Sequence, residues 1–156
     1  MHSTLSPPST FATPDGWERF ELPAERSFVH GDTGDRLRIA YFHRGATLRA
    51  LVWFGPGAQG PPGYAHGGAI AAVLDEALGI AAWAAGHPVL AVRLVTEFRR
   101  MLPLGTTCAV ETNVEAVEGR KVRVSGRLVG EAGTIYAEAE SVLVNVAVGA
   151  SGDEEK

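Results

Sequence analysis

The sequence predicts an α+β fold in which one long antiparallel β-sheet wraps a single central, buried α-helix. An apolar, alanine-rich stretch at 65–85 separates two groups of strand-like segments. Short turn signals connect the segments within each group, and such connections are typical of antiparallel neighbours. Apolar residues cover almost every side of the stretch at 65–85, and a helix of this kind needs a curved surface to enclose it.

The first group is a predicted hairpin. Segment 36–42 alternates polar and apolar residues, and segment 47–54 (TLRALVWF) is rich in residues that favour strands. We expect the chain to turn at Arg44-Gly45-Ala46 between them. A loop dense in Gly and Pro, 55–63, then leads into the helix, which we expect to begin near Gly67.

The second group follows His87-Pro88 and contains four predicted strands. They are expected at 89–102, 106–117, 121–129 and 134–146. The turn signals that separate them are Pro103-Leu104-Gly105, Glu118-Gly119-Arg120 and Gly130-Glu131-Ala132-Gly133.

Length and composition predict one compact domain. The chain has 156 residues, of which 46% are hydrophobic and 21% charged, and this suffices for a single core. We assign residues 1–26 to a flexible N-terminal arm, 27–148 to the domain and 149–156 to a disordered acidic tail. The amino terminus has neither the basic start nor the apolar core of a signal peptide.

Charge and cysteine usage exclude several classes of protein. A net charge of −4 gives no basic field that would collect nucleic acid. The single cysteine, Cys108, rules out an internal disulfide, and the five histidines lack metal-ligand spacing, so we expect no metal site and a cytoplasmic protein. The stretch at 65–85 is long enough to span a bilayer, but Asp75 and Glu76 at its centre favour a buried helix over a membrane segment.

The motif His66-Gly67-Gly68, followed by Asp75 within the apolar stretch, is the most informative feature of the chain. The glycines lie where loop gives way to helix, and first-turn N–H groups there are unpaired and sit at the positive end of the helix dipole. Such groups form oxyanion holes. A carboxylate is rarely buried without a partner or a task. The motif alone is also an ordinary turn, and Asp75 alone is compatible with a solvent-facing position.

Helix geometry separates the two halves of this candidate site. Asp75 lies about 10 to 12 Å along the helix from Gly67, at about 1.5 Å per residue. Both groups must come within about 3 Å of the reacting atoms to act on one carbonyl. Two antiparallel copies of the helix across a two-fold axis meet this requirement, because each helix start then lies beside the middle of the other helix.

The order of elements resembles the hotdog fold, and specifically the phenylacetate-type (PaaI-like) acyl-CoA thioesterase family. The segment GPPGYAHGGAIAAVLDEALG is similar to the branch that contains mitochondrial thioesterase-superfamily members 4 and 5. The resemblance covers about 36–146. It implies hydrolysis of an acyl- or aryl-CoA to free acid and CoA, no cofactor, and a homodimer that pairs further into a dimer of dimers, a homotetramer.

The resemblance also implies residue roles. Asp75 matches the carboxylate that acts as general base for water or as a nucleophile that forms a mixed anhydride. The Gly67 backbone N–H matches the oxyanion donor supplied by the partner subunit, with Gly68 beside it. His66 matches the histidine that shapes and orients the site.

Two positions depart from the family pattern. Ala91 stands where many relatives have a Thr or Ser that positions water or the carboxylate, and Thr96 is too far along the strand to replace that hydroxyl. Gln59 matches only loosely the polar residue that some relatives have upstream of the histidine. We expect either lower activity or a water held by Glu76 or by backbone groups.

Binding of coenzyme A requires a local positive rim for its phosphates. Arg120 and Lys121 are the preferred candidates, since relatives bind the nucleotide near this hairpin, and Arg99-Arg100 is the second candidate. Acyl-carrier protein is an alternative carrier that the sequence does not distinguish. The aromatic residues that could line an acyl pocket, or equally belong to the core, are Trp53, Phe54, Tyr64, Trp83 and Phe98.

Two further functions stay open at this level, because a fold does not fix a function. A non-hydrolytic acyl-thioester-binding protein is favoured by Ala91 and disfavoured by the presence of both the HGG motif and Asp75. A hotdog enoyl-thioester hydratase needs a paired Asp and His, and His66 and Asp75 lack the spacing that this reaction uses.

Overall fold

The computed structural model describes residues 4–22, 27–30 and 34–146. It contains seven strands, one α-helix and two 3₁₀ turns, at Pro56–Ala58 and Glu131–Gly133. In chain order the elements are β1 (Glu18–Arg19), β2 (Leu37–Arg44), β3 (Thr47–Phe54), α1 (Gly67–Ala84), β4 (Val89–Phe98), β5 (Thr107–Glu118), β6 (Lys121–Val129) and β7 (Ile135–Asn145).

All seven strands belong to one antiparallel sheet in the order β1-β2-β3-β5-β6-β7-β4. The predicted hairpin is confirmed, since Leu37 pairs with Phe54 and Arg44 with Thr47 across a two-residue turn. Gly45 begins that turn at φ 60°, a left-handed conformation that glycine adopts without strain. The predicted α+β architecture of one helix against a long antiparallel sheet is therefore confirmed.

Helix α1 begins at the predicted residue and packs one face against the sheet. By length and composition it is apolar enough to cross a membrane, with a mean hydropathy of 1.4, but its buried side belongs to the core of this domain. The buried helical residues are Ile70, Val73, Leu74, Ala77, Leu78, Ala81 and Ala82. The other face of the helix, with Gly68, Asp75 and Trp83, is exposed in a single protomer.

A glycine on β6 lets the helix approach the sheet closely. A Cβ at Gly126 would lie 2.6 Å from Cδ2 of Leu78 and 3.0 Å from the carbonyl oxygen of Glu111. Both distances are shorter than carbon atoms tolerate in contact. The missing side chain therefore makes room for a core leucine of α1.

The strand after the helix is shorter than predicted. It was expected to reach residue 102, but β4 ends at Phe98. The N–H groups of Arg99 and Arg100 both donate to the Tyr136 carbonyl, at 2.8 and 3.2 Å. Because two successive N–H groups share one acceptor, regular pairing between β4 and β7 ends there. The chain then turns, and the Leu102 carbonyl accepts from the Ala65 N–H at 2.8 Å, which ties this loop to the entrance of the helix.

The described part of the predicted N-terminal arm, 4–22, lies against the sheet. Strand β1 pairs with the end of β2, and the Trp53 indole N–H donates to the Thr4 carbonyl at 2.7 Å. Phe42 and Trp53 are fully buried outside the core cluster that surrounds α1. This docking is not predicted by the sequence. The boundaries of arm and domain stay predictions. The tail at 149–156 lies outside the described residues.

Strand β4 forms one edge of the sheet and carries exposed apolar side chains. Leu90 and Val92 are each 65% exposed and Phe98 is 54% exposed. An edge strand presents unpaired backbone groups to a second strand. This edge is therefore suited to pairing with another copy of the chain.

Candidate functional site

Backbone contacts hold the segment before the helix in place. The His66 N–H donates to the Ala58 carbonyl at 2.7 Å, and the Gly60 N–H donates to the Tyr64 carbonyl at 2.9 Å. A Cβ at Gly60 would lie 2.8 Å from the His66 Cα, so only glycine permits this approach. The position of His66 is thus fixed from the loop side.

His66 caps helix α1 and leaves one amide for a ligand. Its backbone is extended (φ −68°, ψ 138°), and its Nδ1 accepts from the Gly68 N–H at 2.8 Å. The His66 carbonyl accepts from the N–H groups of Ala69 and Ile70 at 3.0 and 3.2 Å. Within residues 4–22, 27–30 and 34–146, no acceptor takes the Gly67 N–H. This amide is the unpaired first-turn donor that the sequence analysis predicted at Gly67.

The neutral side chain of His66 therefore carries its proton on Nε2, because Nδ1 accepts a hydrogen bond. Gly68 is occupied by this cap, so its N–H is not a second donor for substrate. A Cβ at Gly68 would lie 3.0 Å from the His66 ring. The predicted role of Gly68 in substrate binding stays a prediction.

Asp75 lies on the exposed face of α1, about two turns after Gly67. The spacing of eight residues corresponds to about 12 Å. Among the described residues, no side chain donates a hydrogen bond to Asp75 or forms an ion pair with it. A single protomer therefore holds the carboxylate and the amide apart, and neither has a partner among the residues that the structure describes.

Glu76, the next residue, has the opposite environment. Its Oε2 accepts from the Tyr41 hydroxyl at 2.5 Å, and its Oε1 accepts from the Ser27 hydroxyl. Burial of Tyr41, with the Glu76 charge beside it, raises the pKa of Tyr41 well above its ordinary value. Sequence reasoning missed Tyr41 and Ser27, which are 35 and 49 residues away and carry no motif. Each carboxylate oxygen has a second lone pair, so the predicted role of Glu76 in holding a water stays a prediction.

The contacts of Gln59 and Ala91 in the described residues are with the loop before the helix and with β7, respectively. The Gln59 side-chain oxygen accepts from the Gly63 N–H at 2.8 Å, so it braces the loop before the helix. Ala91 is exposed on the edge strand and pairs with Leu143. Their predicted roles in substrate binding stay predictions.

The two predicted basic clusters lie at opposite ends of the helix. The Arg120 carbonyl accepts from the Asn145 N–H, and Lys121 pairs with Val144, beside the start of β4. The start of β4 lies at the C-terminal end of α1, because the Trp83 indole N–H donates to the Val89 carbonyl at 3.3 Å. Helix α1 is about 27 Å long, so Arg120 and Lys121 lie far from Gly67 of the same protomer.

Arg99 and Arg100 lie at the other end, immediately after Phe98, whose ring lies beside Gly67. The nearest ring atom of Phe98 is 3.4 Å from the position of a Gly67 Cβ. Arg99 is paired with Glu97 at 2.7 Å and lies 3.7 Å from Glu138, so part of its charge is neutralised.

The five candidate aromatic residues separate into core and surface. Trp53 and Phe54 are fully buried and have no exposed area to offer a ligand. Trp83 is half exposed at the C-terminal end of the helix. Among the described residues, Phe98 is the one of the five whose ring lies within 4 Å of the position of a Gly67 Cβ.

A cavity of about 680 Å³ lies on the outer face of the sheet, away from α1. Charged side chains of β5, β6 and β7 line it, among them Glu111, Arg127 and Glu138, and Arg127 pairs with Glu111 at 3.0 Å. None of the predicted site residues borders it. This cavity is therefore separate from the predicted site.

The chain is similar to known proteins. The family model described as Thioesterase superfamily matches residues 62–140, about half of the chain and the part that contains both Gly67 and Asp75. The chain is 33% identical over 105 residues to the acyl-coenzyme A thioesterase THEM4 of Xenopus laevis, covering 65% of this chain and 47% of that protein. It spans about half the length of the curated relatives it matches.

Two solved structures share the fold at low sequence identity. The PaaI protein of the E. coli phenylacetic acid degradation operon superposes with a TM-score of 0.63 at 15% identity, covering 70% of this chain and 78% of that one. The protein smu.793 of Streptococcus mutans UA159, solved with acetyl CoA bound, superposes with a TM-score of 0.68 at 15% identity, covering 81% and 96%. The predicted hotdog fold and PaaI-like resemblance are thereby confirmed, and the chain belongs to the thioesterase superfamily.

Proposed function

We propose that this protein is an acyl-CoA thioesterase whose active site forms between two copies of the chain. The observation that carries the proposal is the free Gly67 N–H at the start of a helix whose exposed Asp75 lies two turns further on. The THEM4 relative is named an acyl-coenzyme A thioesterase, and the smu.793 structure holds acetyl CoA. Both names support the same class of substrate.

The edge strand supplies the way to assemble such a site. Antiparallel pairing of β4 with its copy would extend the sheet and cover Leu90 and Val92. The same two-fold axis brings the start of one helix beside the middle of the other. It also carries Arg120 and Lys121 of the partner subunit toward the Gly67 end, which supports their proposed contact with CoA phosphates.

The proposed reaction uses one carboxylate and one amide. The thioester carbonyl oxygen accepts from Gly67, and Asp75 of the partner subunit takes a proton from water as the water oxygen bonds to the carbonyl carbon. Collapse of the tetrahedral intermediate breaks the carbon–sulfur bond, and the CoA thiolate takes up a proton. In the alternative course Asp75 attacks the carbonyl directly and expels the CoA thiolate, which takes up a proton. Water then hydrolyses the mixed anhydride, which releases the acid and restores the Asp75 carboxylate.

A non-hydrolytic acyl-thioester-binding protein is the second candidate. Ala91 favours it, because a methyl group there offers no hydrogen bond to water. Free Gly67 and unpaired Asp75 both favour hydrolysis instead, since a binder has no need of either group in that state.

Hydrolysis of a panel of straight-chain, branched and aryl acyl-CoAs tests the proposal. We expect wild-type turnover of at least one, and an Asp75→Asn variant that keeps the fold and substrate affinity while kcat falls by about 10³ or more. Glu140→Gln, an exposed carboxylate on β7, is the matched control and should leave kcat unchanged. Binding of acyl-CoA without turnover of any member would support the binding protein, and Asp75→Asn with more than about a tenth of wild-type kcat would remove Asp75 from the chemistry.

A further inference from the structure

We propose that Phe98 sets the acyl specificity of the site by excluding acyl groups branched at the carbon next to the carbonyl. The inference rests on the proposed thioesterase function and adds a substrate class to it. It starts from one contact: atoms of the Phe98 ring lie 3.4 and 3.5 Å from the position that a Gly67 Cβ would occupy.

The ring flanks the opening through which a carbonyl must approach. In an α-helix the Cα–Cβ direction tilts toward the N-terminus, and unpaired first-turn N–H groups point the same way. The Phe98 ring and the free Gly67 N–H therefore border the same space. A carbonyl oxygen at 2.7 to 3.1 Å from that N–H, the usual range for an oxyanion donor, places the neighbouring carbon of the acyl group beside the ring.

The backbone that carries the ring is held firmly. Phe98 pairs with Ala137, and the next two N–H groups, of Arg99 and Arg100, both donate to the Tyr136 carbonyl. On the helix side the ring lies at van der Waals distance from the position of a Gly67 Cβ. The pairing therefore fixes the backbone from which the ring extends beside the Gly67 N–H.

The apolar character of the Phe98 ring indicates that it packs against the acyl side of the thioester. Phe98 is 54% exposed and apolar, so it gains most by covering hydrocarbon. The polar groups of the CoA arm are better suited to the basic side chains that we propose contact its phosphates. A CH₂ group or a planar aryl carbon fits against the ring, whereas an added methyl at this carbon overlaps it.

The test compares matched substrate pairs, butyryl-CoA with 2-methylbutyryl-CoA and octanoyl-CoA with 2-methyloctanoyl-CoA. We expect wild-type protein to prefer the straight member of each pair. Phe98→Ala should raise the branched-to-straight ratio of kcat/KM by about tenfold or more, the usual discrimination for one methyl group in an apolar pocket. Phe98→Leu, which keeps apolar cover on the edge strand, should raise it by less. Met101→Ala, an exposed apolar residue three positions further on, is the matched control and should leave the ratio unchanged.

The outcomes separate this inference from the function on which it rests. A wild-type protein that hydrolyses no acyl-CoA contradicts the proposed function itself. Wild-type turnover, with a branched-to-straight ratio in Phe98→Ala within about twofold of that in Met101→Ala, overturns the role of Phe98 alone. The role of Phe98 is also overturned if Phe98→Ala lowers kcat/KM, or raises KM, equally for both members of each pair. The ring would then contact the CoA arm or stabilise only the dimer.

Discussion

Asp75 and Glu76 are neighbours in the chain, yet the fold gives their carboxylates different surroundings. Adjacent helical residues point about 100° apart. This angle turns Glu76 toward Tyr41 and Ser27 and leaves Asp75 on the open face of the helix. From these contacts we propose that Asp75 takes part in the reaction and that Glu76 stabilises the fold.

We therefore expect Glu76→Gln to lower kcat by less than about tenfold, because an amide oxygen still accepts from the Tyr41 hydroxyl. Its unfolding free energy should fall by about 1 to 3 kcal/mol, the usual cost when a hydrogen bond to a charged group is weakened. Steady-state kinetics and urea unfolding of the same preparation measure both. A larger loss of kcat, together with a tolerated Asp75→Asn, would identify Glu76 as the base instead.

Cys108 provides a pH-dependent test of the core at the same scale. Burial raises the pKa of the Cys108 thiol from 9.0 to about 12, so the unfolded chain loses this proton at lower pH than the folded one. The thiol's contribution to stability is complete below about pH 9 and is lost as pH rises toward about 12. Relative to Cys108→Val, the wild-type unfolding free energy should fall by about 1.4 kcal/mol between about pH 8 and about pH 10.

Urea unfolding of both proteins across this range measures the difference, and the variant cancels the contributions of every other titrating group. Parallel stability curves for the two proteins would show that the thiol ionises as readily in the folded state as in the unfolded one. The assignment of Cys108 to the interior between sheet and helix would then be wrong.

At the scale of elements, the contact between β6 and α1 is the most constrained. Gly126→Val would place a branched side chain where Leu78 and the Glu111 carbonyl already lie. We expect a loss of about 1 to 3 kcal/mol of unfolding free energy, typical of an overpacked core. Ser125→Val, whose side chain lies on the outer face beside Glu115, is the matched control and should stay within about 0.5 kcal/mol of wild type. Equal stability of the two variants in chemical denaturation would mean that the helix does not pack on the sheet at Gly126.

Local sequence signals predicted most of these elements, because strands and helices leave periodic patterns and turns leave glycines. The helix begins at Gly67 as predicted, and the turn at Gly45 joins the predicted hairpin. The sequence did not predict the end of β4 at Phe98, because the bonds from Arg99 and Arg100 to Tyr136 depend on a strand about 40 residues later. Strand β1 has only two residues, too few to show alternation.

The candidate site was predictable only in part, for the same physical reason. The HGG motif located the free amide, since a helix start exposes its first N–H groups wherever it occurs. The approach of the Phe98 ring to Gly67 and the hydrogen bond from Tyr41 to Glu76 join segments distant in sequence. Such contacts follow from the packing of the sheet around the helix, which no local pattern records.

At the scale of the whole molecule, the proposed reaction requires two chains to share each active site. About 12 Å of helix separates Gly67 from Asp75, and the exposed apolar edge of β4 is available for a second copy. We expect a homodimer by light scattering, with further pairing into a tetramer as the larger assembly. Separated protomers should be inactive even when each retains its fold.

Subunit mixing distinguishes an active site shared between two chains from one formed within a single chain. One variant carries Asp75→Asn and the other Gly67→Val, which blocks the approach of a carbonyl to the amide; each should be inactive alone. If sites are shared, a mixed dimer contains one site with both defects and one with neither. Random reassortment makes about half of the dimers mixed, so activity should return to about a quarter of wild type after gentle dissociation and mixing. No recovery, in a sample that mass spectrometry shows to contain mixed dimers, would mean that Gly67 and Asp75 act within one chain and would contradict the account.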